Sequence, residues 1–582
     1  MPPLAIIFPI DPKSRPDMST ETKTAAENGA HGDDTAAKRL KTESILKELL
    51  SPDVMDREAD IRKSYAGSKP YPHASITNLF QPDFLKNMRD EIKSHSKVKF
   101  KESDLFRVYQ SIDMANLDAD KELADQLPHV MKLRQLLYAQ EWRSFVERMA
   151  GLPPSTLTSQ IDCACNCHAP GCHLLCHDDV IGTRKLSYII YLTEEDWEPK
   201  EGGSLELYGP QNDTEESSPI PVARVWPNSN SMAFFTVQPG YSFHAVQEVL
   251  GDRPRLSLQG WYHASEAPEN SELATLQQLK QFKAENEEVV KLEQEFDENQ
   301  EFSEEDKKYL SKYLQAVYLT EESMNEVQKK FEEDSSLQLR NFFQDKWVPI
   351  LEPQKETVYD DSYYSSGISA EWKLRGPAHK QRFLEYQPDA ESTEDCKITG
   401  SLLQHLKVKV FESEQLARFL KRITSLDKPT GISRGQIRRF RPGLDYTVAH
   451  YGLLVDRSVL DATMCFVYDD GDDKDAWESG DIGGFECYIE ADDEDEKDEG
   501  HADEYNEDDD TELLSVSASN NTLSLVYRDP GTMRFVKYVG NAAPSSRYDI
   551  CMEYHVPEGE DEDEVEDMGE VEEEEAEDNE NE

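Results

Sequence analysis

The chain has no apolar run long enough to span a bilayer, and its opening residues MPPLAIIFPI carry no basic leader. A membrane anchor and a secretory route are therefore not expected; nucleus and cytoplasm are. Basic charge is scarce, with 62 Lys and Arg against 118 Asp and Glu, a net charge of −56. Phosphate contacts need clustered Lys and Arg, so this balance argues against direct grip on nucleic acid. Nine cysteines follow no regular framework, which points to free thiols in a reducing compartment. One short basic tract, TAAKRLKTE (Thr35 to Glu43), is a candidate nuclear import signal.

The acidic excess is concentrated in blocks. From Glu558 onward 17 of 25 residues are Asp or Glu, and further blocks run from Asp492 to Asp510 and from Asp469 to Asp475. Such runs repel themselves and stay solvated, serving as solubilising segments or as a lure for a basic partner. The pattern divides the 582 residues into five parts. Residues 1–65 read as a disordered arm, with at most a short helix near Ile45 to Leu50, and folded sequence is expected from about Tyr71. Residues 66–265 form a first domain, with helical spacing at Asp83 to Ile92 and Leu133 to Met149, then short β-type runs from Ser159 to His263 that suggest a jelly roll. Residues 266–371 read as a helical connector, with a capping-box pattern at Ser303 to Asp306. Residues 372–556 turn β-like again around an acidic insertion at 466–512, and 557–582 form an acidic disordered tail. The fold class expected is mainly β with helices (α+β), two jelly rolls (double-stranded β-helices) in tandem.

Chemistry concentrates in HLLCHDDVIGTRKLSYIIYL and PGYSFHAVQEVLGDRPRLSLQGWYH. His177-x-Asp179 followed by the distant His244 is the ligand set of a 2-His-1-carboxylate triad, which suits Fe(II) and leaves coordination positions for a co-substrate and O2. An isolated His-x-Asp is weak, but here an apolar strand follows it at once and the second His lies in a strand after the Pro239-Gly240 turn. Eleven residues on, Arg255 opens an alternating run in which Arg255, Ser257 and Gln259 share a face opposite Leu256 and Leu258. A guanidinium fork inside a barrel suits the far end of a dicarboxylate, and Ser257 could add a hydroxyl contact.

CHDDVIGTRKLSYIIYL, GGSLELYG and RPRLSLQGWYH, with PYPHASITNLFQPDFL and QSIDMANL upstream, resemble the Fe(II)- and 2-oxoglutarate-dependent dioxygenases. The branch is that of the eukaryotic prolyl 3,4-dihydroxylases of a ribosomal protein, and the likeness runs from about Tyr71 to Val556. The resemblance implies that His177, Asp179 and His244 bind iron, that Arg255 and Tyr191 hold the distal carboxylate of 2-oxoglutarate, and that O2 is the other co-substrate, with ascorbate as reductant. His168 stands where the family usually has a second active-site tyrosine, so a cofactor contact there is expected of a histidine instead. The implied reaction is 3-hydroxylation or 3,4-dihydroxylation of a proline in the decoding-centre protein of the small ribosomal subunit, affecting translation termination or accuracy. The alternative is an oxygen-responsive binding protein that sequesters a partner such as a transcription factor or controls its stability.

The second β region reads as a decayed copy of the first. GGFECYIE echoes GGSLELYG, NTLSLVYRDPG matches NSMAFFTVQPG without a gap, and RYDICMEYH echoes RLSLQGWYH. With one inserted residue RPGLDYTVAHYG falls opposite APGCHLLCHDD, putting His450, Gly452 and Phe535 at the ligand places. Gly and Phe cannot bind iron, so the copy is expected to be non-catalytic, a substrate-docking or homodimer surface. The tract CACNCHAPGCHLLCH invites a zinc reading, but C-x-C-x-C fits strand alternation better and predicts small buried thiols on one face. His173 is expected in loop or core, His263 and Trp261 in strand packing, and Asp178 facing solvent.

Overall fold

The computed structural model describes residues 45–556, apart from 211–215, 281–293, 296–299, 355–361, 389–397, 427–430, 451–453, 455–456, 469–475, 481 and 491–511. The basic tract at Thr35 to Glu43, Gly452, most of the acidic insertion and the acidic tail lie outside the described residues.

The first sheet has eleven strands. In spatial order its main path begins His73–Thr77, Ser231–Thr236, Arg184–Tyr191, Arg255–His263, Ala164–His168 and Phe106–Ser111, and continues through His173–His177, His244–Val246, Leu205–Leu207 and Ala223–Val225. Every pairing is antiparallel. Alternation sorts the strands' residues into two cores. Leu186, Tyr188, Ile190, Leu256, Leu258, Cys163, Cys165 and Cys167 pack outward against a helical layer, while Ile189, Tyr191, Leu205, Leu207 and Phe235 face inward. The outer layer is built from Glu58–Gly67, Pro82–His95, Pro128–Tyr138 and Gln140–Ala150. All eight described cysteines are buried and free.

Two expectations need correction here. Folded structure starts earlier than Tyr71: the short helix expected near Ile45 to Leu50 is present at 45–49, but it belongs to the fold, with Leu49, Leu50, Val54, Ile61 and Tyr65 buried in the outer core. A polar composition hid that segment, because only a narrow stripe of it is apolar. The helical spacing from Leu133 to Met149 is two helices, broken where Ala139 is extended with φ −67° and ψ 131°; neither Pro nor Gly marks the break.

The second sheet repeats the order of the first: Ser336–Arg340, Thr522–Arg528, Val459–Phe466, Arg547–His555, Gly431–Phe440, Gln381–Tyr386. Even local devices recur. Asn230 and Asn521 both take positive φ (55° and 49°) at the head of corresponding strands. Each side chain brackets one backbone residue, accepting from its N–H and donating to its carbonyl: Phe80 for Asn230, Phe343 for Asn521. The segment expected as a helical connector contributes to this second unit. Its strand Ser336–Arg340 pairs with Thr522–Arg528, and Leu310, Tyr313, Phe331, Phe342 and Phe343 join the second core.

The ladders correct the repeat alignment. His244 pairs with Leu207, five residues after Gly202, and Arg534 pairs with Tyr488, five residues after Gly483. The bridges Gly202 to Val249 and Gly483 to Val539 give the same offset. Arg534, not Phe535, therefore stands at the place of His244, because the chain after Pro530-Gly531 re-enters the sheet one residue sooner than after Pro239-Gly240.

The two units meet along the strands that carry His177 and His244. The His173 ring lies 4.2 Å from that of Tyr538, and Phe243 stacks on His379 at 4.9 Å. Tyr364 hydrogen-bonds Glu206, whose other oxygen accepts from Tyr208, and Tyr208 in turn accepts from Arg382. Glu248 accepts from Tyr538 Oη (3.2 Å) and Asn541 N (2.8 Å), and burial pushes its carboxyl up to about 7. No helix among the described residues is long and apolar enough to cross a membrane.

Candidate metal centre and co-substrate pocket

His177 ends one strand and His244 opens its neighbour, where the two residues pair directly. Asp179 sits just beyond, at φ 63°, a left-handed backbone that turns its carboxylate back between the imidazoles. Oδ1 lies 3.1 Å from Nε2 of His177 and Oδ2 lies 3.2 Å from Nε2 of His244. The three ligand atoms fall within 4.8 Å of one another, the one such group able to hold a metal ion among the described residues. Each Nδ1 faces a backbone carbonyl, Leu175 O at 2.8 Å and Ser242 O at 2.9 Å. That contact fixes the tautomer with the proton on Nδ1 and presents Nε2 as the ligand atom. Burial opposes the charge on Asp179, yet His244 and His177 hold its carboxyl well below the usual range. Burial likewise opposes protonation of His177, and Asp179 nevertheless raises it.

Asp178 is not at the surface. It is buried, and its carboxylate accepts from the backbone N–H groups of Val180 (3.3 Å), Gly240 (3.0 Å) and Thr275 (3.0 Å). It therefore ties the loop bearing Asp179 to the turn preceding His244 and to the chain leaving the sheet. Sequence reasoning missed this positioning residue, because adjacency to a ligand says nothing about which backbone amides a carboxylate meets.

Arg255 is fully buried at the head of its strand. Its Cζ lies 5.0 Å from the Tyr191 ring centroid, Nη1 donates to Ser257 Oγ at 3.3 Å, and His168 Nδ1 is 3.5 Å away. His168 pairs across the ladder with Arg255, and Ser257 pairs with Tyr191, so all four share the inner face. Burial, and then the charge of Arg255, push His168 well below the ordinary histidine range and keep it neutral. Arg255 Nε and Nη2 and the Tyr191 hydroxyl have no hydrogen-bond partner. Leaving buried donors unsatisfied costs on the order of 1–3 kcal/mol each, so three together mark a place built for an acceptor from outside. Gly203 makes room for the guanidinium: at φ +73° a Cβ would come within 2.7 Å of Arg255 Cδ.

The remaining histidines behave as packing residues. His173 packs against Tyr538 with the rings tilted by 36°, and burial pushes it down to about 4. His263 lies between Asp162 (3.0 Å) and Thr183 (3.0 Å), and Trp261 packs under Arg184 with Cζ 3.5 Å from its ring centroid.

Comparison with known proteins places these elements. Residues 163–263 match the 2OG-Fe(II) oxygenase superfamily, and residues 305–563 match a family described as oxoglutarate and iron-dependent oxygenase degradation C-term. The chain is 37% identical over 519 residues to the prolyl 3,4-dihydroxylase OGFOD1 of Ostreococcus tauri, covering 86% of this chain and 97% of that protein. It is 28% identical to the prolyl 3-hydroxylase OGFOD1 of Xenopus laevis (81% and 84% covered). Against the prolyl 3-hydroxylase sudestada1 of Drosophila melanogaster the identity is 26% (82% and 81%).

Proposed function

The chain belongs to the OGFOD1 family of prolyl hydroxylases, dioxygenases that use Fe(II) and 2-oxoglutarate, and on that premise we propose that it hydroxylates a proline in the decoding-centre protein of the small ribosomal subunit. The observation that carries the catalytic part is the pairing of an open His177, Asp179 and His244 triad with a buried guanidinium that keeps two donors free. Bound there, Fe(II) and 2-oxoglutarate supply oxidative decarboxylation to succinate and CO2, with one oxygen atom passing to the prolyl ring.

The chain's own residues provide the rest. His177 and His244 present Nε2 because Leu175 and Ser242 hold their other nitrogen. Asp179 stays ionised between them as the third ligand. Arg255 receives the distal carboxylate of 2-oxoglutarate with Nε and Nη2, and the Tyr191 hydroxyl donates to the same group. Ser257 and the neutral His168 hold the Arg255 fork from its other edge. Outer and inner apolar cores close the strands against water.

A basic substrate fits a chain of net charge −56, since opposite fields speed encounter. The reaction proceeds to the 3-hydroxy or the 3,4-dihydroxy product with ascorbate as reductant, in nucleus and cytoplasm, by a chain that can form a homodimer. Incubation with a peptide spanning the decoding-loop proline, Fe(II), 2-oxoglutarate and ascorbate should add about 16 or 32 mass units, one oxygen per cycle. Turnover of 2-oxoglutarate with no mass change on peptide or intact protein would sink the ribosomal assignment.

A second reading draws on the match of residues 305–563 to a family named for degradation. In it the second unit binds a partner such as a transcription factor and controls its stability in response to oxygen. A variant lacking Asp179 separates the readings: retained partner control supports the binder, and its loss supports the enzyme.

A further inference from the structure

The inside of the second barrel holds charge where the first holds open ligands. Arg438 forks onto Asp549 (Nε to Oδ1 2.8 Å, Nη2 to Oδ2 3.0 Å). Arg528 meets Asp461 (2.8 Å) and Glu553 (2.5 Å), Arg534 meets Asp461 (2.6 Å), and Arg547 meets Asp549 (3.2 Å). Glu486 lies 3.6 to 4.0 Å from Arg438, Arg534 and Arg547. Arg547 stands at the place of Arg255, and Arg534 at that of His244.

The arrangement is lopsided. A partly open cavity of about 40 Å³ is lined by Arg434, Arg438, Arg528, Arg534, His450 and Gln436 among others, and by no carboxylate among the described residues. Asp461, Glu486, Asp549 and Glu553 are buried and do not line it. Arg434, half-buried, pairs across the ladder with Glu553, and though burial opposes that carboxylate's charge, Arg434 and Arg528 hold it below the usual range; among the described residues five arginines (434, 438, 528, 534, 547) meet four carboxylates. A pocket that presents arginine edges and amides, within a chain of net charge −56, cannot serve a cation and is shaped for forked contacts to an oxyanion. His450, at the place of His177, is pushed down to about 4 by burial and offers a neutral ring.

We propose that the second barrel is a binding site for a small oxyanion carrying two or more negative charges, a di- or tricarboxylate or a phosphate, seated on Arg434, Arg438, Arg528 and Arg534 where the first barrel has its metal centre. The site is independent of the prolyl substrate and needs no metal.

The test is calorimetric titration of the full-length, metal-free chain with succinate, citrate and inorganic phosphate. An Arg255→Gln background keeps these anions from the first pocket. One equivalent of at least one anion should bind, more weakly as salt rises; which anion binds identifies the source. Arg434→Gln should weaken it about tenfold, as loss of one charge-assisted contact predicts. Gln436→Glu, at the same rim, should abolish it while leaving the melting temperature of the free protein unchanged. No binding of any of the three anions, or equal binding in wild-type and both rim variants, would overturn the proposal.

Discussion

The two barrels share strand order, the asparagine bracket at the head of one strand and an arginine at the start of another, yet their interiors differ in one respect. The first leaves polar atoms waiting: Arg255 Nε and Nη2 and the Tyr191 hydroxyl lack partners, and three ligand atoms converge. The second pairs most of its buried charge within itself, with Asp549 at the place of Ser257 taking up both Arg438 and Arg547. The same scaffold is a reaction chamber when its ligand atoms are left open and a braced, arginine-rich interior when the chain supplies carboxylates for most of its guanidinium groups. Buried ion pairs of this kind contribute little net stability over apolar packing, but breaking one is expensive.

That contrast can be broken at several points, the sharpest being Asp179→Ala. It should reduce 2-oxoglutarate turnover to background while the thermal midpoint stays near wild type, because removing a ligand leaves the core packing intact. Normal turnover would place the metal elsewhere. In the second barrel Asp461→Ala takes the nearest carboxylate from Arg534 and one of two from Arg528, and should lower unfolding free energy by about 3–5 kcal/mol in urea titration. A loss below ~1 kcal/mol would mean the lattice is solvated and the contrast false.

Arg255→Lys keeps charge but loses the fork. The 2-oxoglutarate concentration for half-maximal rate should rise about 10- to 100-fold with a smaller change in maximal rate. An unchanged requirement would remove Arg255 from the co-substrate.

The seam between barrels is tested by pH. Glu248 is raised from an ordinary 4.5 to about 7, so its neutral form is favoured on folding. The stability it contributes is complete below about pH 4.5 and is lost as pH rises through 7. Wild type should therefore lose on the order of 1–3 kcal/mol relative to Glu248→Gln across that window; parallel curves would mean that Glu248 is hydrated.

The smallest effect is expected from His168→Phe, which copies Phe440 of the second barrel. With Ser257 still on Nη1, a few-fold higher 2-oxoglutarate requirement should follow, measured as a shift in half-saturation.

Much of the site was legible beforehand because its chemistry is written in local spacing. His177-x-Asp179, the strand after it and the alternation that sets Arg255 and Ser257 on one face all depend on a period of two, which a sequence displays directly. The jelly-roll class followed from the same alternation, and so did the buried cysteines. Three features were not readable. Residues 51–65 looked like part of a disordered arm until their few apolar side chains found a core to cover. Asp178 looked exposed because its three amide partners lie 2, 62 and 97 residues away. Arg534 was hidden by a turn one residue shorter than its counterpart, and a single-residue slip moves every side chain to the opposite face.

By itself, then, the sequence determined the strand periodicity, the ligand types and the decay of the second copy, since each rests on neighbours along the chain. Only the tertiary structure decided which buried charges meet. It closed Arg438 onto Asp549 and left two donors of Arg255 open, because ion pairing depends on distances across strands far apart in the chain, and those are set by register and burial rather than by composition.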